Sequence, residues 1–337
     1  MIEGYTIELR VEVMEPLVST VLSVPLLSRM SIMRIKKTIF GSGNEKELFQ
    51  TINSNWSDKF DVYPSLPYTT IIDFLNEQNL SQQEKNFLKK ANVDYTVCTK
   101  EGEPLLSIEF DGMGHGFSKL GEYVQITYTT DPMRSKKLTL KLKIANGVGY
   151  PFFIVSYDEK NCLKGESLTI VDGIIGCVLA KKHFLNRIQE LGDEHSDEIK
   201  SLAPHEEYEF VQDLVLSAEV EADLEWNPIV QKAYEYESQL NAKSMGFEYL
   251  TDPDLPDIKD MFDFDGLAKR IKAFDKVKRV GCKVTVKTSR GELFETAWMR
   301  NIEGFGVSAT SLVREIAELL AYKKALTELG EIVQTQA

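Results

Sequence analysis

Apolar and polar residues alternate near the start of the chain, with Tyr5, Ile7, Leu9, Val11 and Val13 at every second position, and this spacing predicts strand within residues 3–39. Between residues 41 and 160 the period switches repeatedly and predicts helix, strand, helix, hairpin, helix and strand. Residues 165–250 carry mostly helical spacing, and residues 266–330 predict a helix, two or three strands and a long closing helix. No internal repeat or low-complexity tract interrupts the order. The implied class is mixed α/β in four regions. A strand-rich N-terminal extension (1–40) precedes a central α/β sheet domain (41–160). An acidic helical region and linker (161–265) then lead to a small basic α+β domain (266–337).

The hairpin concentrates the chemistry. Runs Val93–Cys98 and Leu105–Phe110 flank Thr99-Lys100-Glu101-Gly102-Glu103-Pro104, and a two-residue Glu101-Gly102 loop places Asp94 directly across from Glu109. Tyr95 then faces Ile108, Thr96 faces Ser107 and Val97 faces Leu106. Val93, Tyr95, Val97, Leu106, Ile108 and Phe110 share an apolar face. Asp94, Thr96, Ser107, Glu109 and Asp111 share the other. Opposed carboxylates repel, so the cluster is either an exposed acidic face or a site for a hard divalent cation, which takes oxygen ligands and water.

Composition narrows the classes. In 337 residues, 43% hydrophobic and 27% charged content is globular and fits two or three domains. The apolar run Val18–Leu27 contains Pro25 and is too short to span a bilayer, and it lacks a secretory signal's basic flank and cleavage site. Cys98, Cys162, Cys177 and Cys282 lie far apart with no CxxC, which disfavours zinc and disulfide frameworks and suits a reducing compartment. A cytoplasmic protein without a membrane partner is the expectation. Gly112, Gly114 and Gly116 do not form a dinucleotide fingerprint, and neither a P-loop nor a Gly-x-Ser-x-Gly elbow occurs.

The net charge of −13 is unevenly placed. Residues 188–265 hold 22 Asp and Glu against 4 Lys and Arg, whereas residues 266–337 hold 13 basic against 8 acidic residues. The acidic segment reads as a solvated connector or as a nucleic-acid mimic that masks a basic surface.

The runs Val93-Asp94-Tyr95-Thr96-Val97-Cys98 and Pro104-Leu105-Leu106-Ser107-Ile108-Glu109-Phe110-Asp111-Gly112, followed by His115, resemble the restriction-endonuclease-like, or PD-(D/E)XK, nuclease superfamily. The nearest branch is the bacterial one related to very-short-patch-repair endonucleases. Asn44 to Phe49 resembles its opening helix, Asp61 to Leu66 its first core strand, and Arg134 to Ala145 with Tyr150 to Val155 its closing helix and strand. The resemblance covers roughly residues 41–158 and implies Mg²⁺, with Mn²⁺ as substitute, held by Asp94 and Glu109. Asp111 and Glu45 are further candidates, although Glu45 also fits a capping box in Ser42-Gly43-Asn44-Glu45. Asp111 stands where the superfamily places a lysine, and some members supply that cation from a neighbouring helix. Arg134, Lys137 and Lys141 share one helical face that would serve. His115 is a candidate acid, base or water-orienting group, or a structural loop residue.

Cys282–Thr288, Leu293–Met299, the Gly304-Phe305-Gly306-Val307-Ser308 step and the following helix resemble the end of a double-stranded-RNA-binding domain, without that family's lysine cluster. Such a domain contacts nucleic acid or mediates oligomerisation and protein contacts. Arg134, Lys278, Arg279, Lys283 and Arg290 are the candidate nucleic-acid contacts. Lys276, Lys287 and Arg300 are further basic residues for phosphate, unless the group docks on the acidic segment. The expectation is a metal-dependent nuclease acting on DNA, favoured over RNA, in bacterial defence or repair. Its rivals are an inactive nucleic-acid-binding module of the same fold and a scaffold assembled through the acidic segment and C-terminal domain.

Overall fold

A computed structural model describes residues 38–76, 79–112, 114–117, 123–125, 132–163, 165–240, 244–251, 280–300 and 302–330. The strand-rich extension expected in residues 1–40 lies outside these apart from its last residues, as do Lys278 and Arg279. Phe40 onward forms one compact unit of mixed α/β architecture.

Helix α1 (Gly43–Trp56) starts where Ser42 Oγ accepts from the Glu45 N–H, and buries Leu48, Ile52 and Trp56 at helical spacing. Strand β1 (Asp61–Pro67), the short α2 (Tyr68–Ile71) and α3 (Gln82–Leu88) follow, then β2 (Asn92–Cys98) and β3 (Pro104–Asp111). The small strands β4 (Gly114–Phe117) and β5 (Tyr123–Gln125) pair with each other. Helix α4 (Pro132–Gly147) crosses over to β6 (Phe152–Ser156), and α5 (Tyr157–Lys160) ends the region. The main sheet has the order β1-β2-β3-β6, with β3 and β6 parallel and the other pairs antiparallel.

Residue parity sorts the two faces of this sheet. On β6, Phe153 and Val155 join the larger core with α1, while Phe152 and Ile154 join a second core with Leu138, Leu140, Ile144 and Ala145 of α4. A strand buried on both faces is continuously apolar, as β6 is from Phe152 to Val155. Tyr95, Val97, Leu106, Ile108 and Phe110 share the larger core as their alternation predicts, but Val93 packs in the second one. Beside it the β1–β2 register skips Ser65 and Asp94, and Ser65 has a left-handed φ of 57°. Strict alternation does not survive that break.

Helix α6 (Ile170–Glu194), α7 (Ser196–Ser201), α8 (Pro204–Trp226) and α9 (Pro228–Leu240) form most of the acidic region. The region read as helix and linker also supplies a strand, β7 (Ser244–Thr251), which pairs with β8 (Val280–Thr288). Strand β9 (Gly291–Met299) completes an antiparallel sheet of order β7-β8-β9, and α10 (Ala309–Leu329) packs on it. Its third strand therefore comes from upstream of residue 266.

The sheet's buried side (Cys282, Val284, Val286, Ala297) and α10 belong to the same core cluster as α1, α6 and β3. Glycine permits the tightest approaches. A Cβ on Gly176 of α6 would lie 2.7 Å from Asn227 Cα and 2.8 Å from the Trp226 carbonyl oxygen, both backbone atoms. Gly306, at φ 95°, presses on α6 beside Lys181 and the Cys177 carbonyl. The Gly-x-Gly step thus seats the C-terminal region on α6.

Gly176→Ala should lower the urea midpoint by the equivalent of about 1–3 kcal/mol with an unchanged slope. A midpoint equal to or above wild type would show that the α8–α9 junction yields, leaving only alanine's helix propensity.

Candidate active site

The hairpin forms by a different turn from the one expected, yet keeps the expected register. Thr99 N–H donates to the Glu103 carbonyl, Gly102 takes φ 89°, and the loop is Lys100-Glu101-Gly102 rather than Glu101-Gly102. That extra loop residue would slip the strands by one. An irregularity between Val97 and Cys98 cancels it, so Tyr95↔Ile108, Thr96↔Ser107 and Val97↔Leu106 pair as parity requires.

The ladder stops at Tyr95↔Ile108, so Asp94 and Glu109 are not paired across it. Here β2 and β3 separate, and Asp94 Oδ2 accepts the Phe110 N–H at 2.8 Å in place of a strand carbonyl. Beyond this point β3 is held by β6, with Glu109 beside Ile154 and Asp111 beside Ser156. Glu109 is buried, and Lys141 Nζ reaches it from α4 at 2.6 Å while also donating to the Asn92 carbonyl at 2.5 Å. Lys141 itself is fully buried. Asp111, also fully buried, pairs with Arg134, whose Nε and Nη2 lie 2.8 and 2.7 Å from Oδ1.

Of the residues expected at the site, the structure therefore gathers Asp94, Glu109 and Lys141, with Asp111 and Arg134 two residues along β3. Lys137 is half-buried one turn before Lys141, near enough to disfavour its charge. Glu45 caps α1, with Oε2 2.7 Å from the Gly41 N–H and Oε1 3.4 Å from Ser42 Oγ. His115 lies in β4, and its side chain is outside the described residues. Lys283 stands over the Phe294 ring at 4.7 Å, and Arg290 donates to the Glu328 carbonyl at the end of α10. Arg300 is buried at 2% exposure, donating to Ser156 Oγ at 3.1 Å and Asp158 Oδ2 at 3.0 Å. That burial and those acceptors remove it from the solvent-facing phosphate contacts expected of it.

Tyr150, Tyr68 and Asn92 complete the surroundings without having been singled out in the sequence. Thr96 Oγ1, Ser107 Oγ and Tyr150 OH form a chain of 3.0 and 2.9 Å contacts on the face that carries Glu109. Tyr68 OH donates to the Lys141 carbonyl at 2.7 Å and ties α4 to the segment after β1. A Thr–Ser cross-strand pair was visible in the hairpin pattern. The tyrosines and the Asn92 carbonyl had no sequence signal.

Burial sets the electrostatics. Desolvation, with Glu109 as second cause, pushes the Asp94 carboxyl up to about 7, and desolvation pushes the Lys141 amine down. Among the described residues nothing bonds Asp94 Oδ1 or Glu109 Oε1, and neither atom is sealed from solvent. Two such oxygens suit Mg²⁺, which usually takes one or two carboxylates and keeps its waters. The three-carboxylate ligand set expected from the sequence does not assemble. Among the described residues no three His, Cys, Asp or Glu side chains converge on a metal position, and Arg134 is paired with Asp111. Also among them, no helix is long and apolar enough to cross a membrane.

No protein-family model, curated protein or solved structure matches the chain.

The raised Asp94 pKa sets a stability signature. Its contribution is whole below the ordinary carboxylate value near 4 and is lost as pH rises through about 7. Asp94→Asn removes that loss while keeping a carbonyl for the Phe110 N–H. The variant should melt at least about 2 °C above wild type at pH 8, with the gap closing toward pH 4. A difference independent of pH would rule out a strained charge at Asp94.

Proposed function

We propose that this protein is a metal-dependent nuclease of the restriction-endonuclease-like type, hydrolysing phosphodiester bonds in nucleic acid, with Asp94, Glu109 and Lys141 as its central residues. The observation carrying this reading is the buried Glu109–Lys141 pair at the point where β2 and β3 part, with the Asp94 carboxylate bridging the gap. It supports the cation supplied from the neighbouring helix, which makes Asp111 at the usual lysine position compatible with activity.

Asp94 Oδ1 and Glu109 Oε1 are the oxygens that would hold Mg²⁺ or Mn²⁺. A bound ion of this kind supplies an acidified water and a counter-charge for phosphate. The chain's own groups do the rest. Lys141 fixes the Glu109 carboxylate and keeps a positive charge beside it. The Phe110 N–H fixes Asp94. Arg134, held by Asp111, keeps a second cation at the entrance of α4, placed for a phosphate oxygen.

A second reading has an observation of its own. Lys141 and Arg134 already neutralise Glu109 and Asp111, an arrangement that also suits an inactive nuclease fold used only for binding.

The deciding assay is cleavage of single- and double-stranded DNA and RNA with Mg²⁺ or Mn²⁺. Asp94→Asn, Glu109→Gln and Lys141→Met should each lower the rate by about 10²-fold or more while remaining folded. Absence of cleavage on every substrate, with no calorimetric metal binding, would leave the inactive module as the working description. Lys141→Met also strands the Glu109 charge and should destabilise by about 3–5 kcal/mol. The Glu109→Gln/Lys141→Met double variant should recover much of that stability; equal losses in the single and double variants would show that the pair is not coupled.

A further inference from the structure

A guanidinium removed from water needs acceptors for its donors, and Arg300, buried just past β9, finds them outside its own sheet. Its Nη1 donates to Ser156 Oγ at 3.1 Å and its Nη2 to Asp158 Oδ2 at 3.0 Å. Glu159, also buried, ties the two backbones together. Its Oε1 accepts the Arg300 N–H at 3.0 Å, and its Oε2 accepts the Ser156 N–H at 2.8 Å. Ser156 Oγ donates to the same Oε2 at 2.8 Å. Asp158 is the exposed member of this group.

Ser156 is where the group meets the candidate active site. It is the parallel partner of Asp111, and by parity both side chains leave the sheet on the face that carries Glu109. Asp111 in turn holds Arg134, with Nε and Nη2 at 2.8 and 2.7 Å. The loop after β9 has a second hold on β6. Phe305, in the left-handed region at φ 56°, sets its ring edge-on to Phe153 with centroids 6.4 Å apart. A bulky residue keeps such a φ only where its surroundings determine it. The loop is therefore fixed to β6 at two points.

We propose that Arg300 is a positioning residue for the candidate active site. By fixing Ser156 it sets the end of β6, and with it the Asp111 carboxylate that orients Arg134. The C-terminal sheet is then a working part of the site, not an appended module. The consequence for catalysis rests on the nuclease reading; the placement of Arg134 does not.

Two variants of the full chain test it. Arg300→Lys keeps the charge but loses the planar fork that reaches Ser156 and Asp158 together. Ser156→Ala removes one acceptor and little volume. The Arg134 Nε–H, bonded to a buried carboxylate, gives a signal in a ¹⁵N-correlated spectrum that is identified by its loss in Arg134→Lys. That signal should shift in both variants, and its exchange with water should quicken about tenfold in Arg300→Lys, the scale of one lost hydrogen bond. Gly176→Ala, which weakens the fold at α6 without altering the group, should leave the signal in place. Where wild type cleaves nucleic acid, Arg300→Lys should lower kcat about tenfold or more with KM within about twofold, while Gly176→Ala keeps the wild-type kcat. A wild-type Arg134 signal in both Arg300→Lys and Ser156→Ala overturns the proposal, as does an equal shift in Gly176→Ala. So does a wild-type kcat in Arg300→Lys. Failure of wild type to cleave any substrate removes the nuclease reading instead, and the Arg134 signal then decides the role of Arg300 alone.

Discussion

Lys141 runs from the buried side of α4 into the main sheet and ends between the Glu109 carboxylate and the Asn92 carbonyl. A lysine and a glutamate removed from water survive as ions only when each satisfies the other, because the desolvation of either alone amounts to several kcal/mol. The pair therefore constrains where α4 lies over β2 and β3. The Tyr68 hydroxyl on the Lys141 carbonyl holds the same turn of helix from a second side. With α4 fixed, Arg134 falls opposite Asp111, and Leu138, Ile144 and Ala145 fall into the second core. The split between β2 and β3 is stable because the Asp94 side chain replaces the missing strand carbonyl. Structure and chemistry use the same few groups here.

The rest of the chain supports this edge from behind. The larger core runs without a break from α1 and β3 through α6 to α10 and the C-terminal sheet. Gly176 and Gly306 let backbone meet helix on α6, and Arg300 carries the loop after β9 onto Ser156 at the end of β6 and Asp158 just past it. The polar end of the main sheet is thus gripped by a residue 144 positions downstream of Ser156. The acidic helices, which by charge resemble a solvated connector, are half interior: Ala218, Ala222, Ile229 and Ala233 are buried, while Glu206, Glu207, Glu209, Glu219, Glu221 and Glu225 are exposed.

What the sequence disclosed follows from how far each signal reaches. Strand parity is local and strict, so the register of Thr96 with Ser107 and the division of the hairpin into an apolar and a polar face could be read directly. Parity also survived a wrongly assigned turn, because two compensating irregularities preserve it. The placement of Arg134, Lys137 and Lys141 on one helical face was equally legible. Which of them reaches Glu109 was not, since that depends on how α4 crosses the sheet. The break at Ser65, which moved Val93 to the other core, needs a backbone angle that serine does not announce. The origin of β7 was hidden because an edge strand's pattern does not name its partner. Arg300 looked like a surface cation because charge alone does not reveal burial.

The pairing of Thr251 with Val280 brings the two ends of residues 252–279 to neighbouring positions in one sheet. The entropic cost of bringing two positions of one chain together grows only with the logarithm of their separation, so the ladder running from Thr251–Val280 to Ser244–Val286 has a modest closure term to offset in fixing β7 at the edge of its sheet.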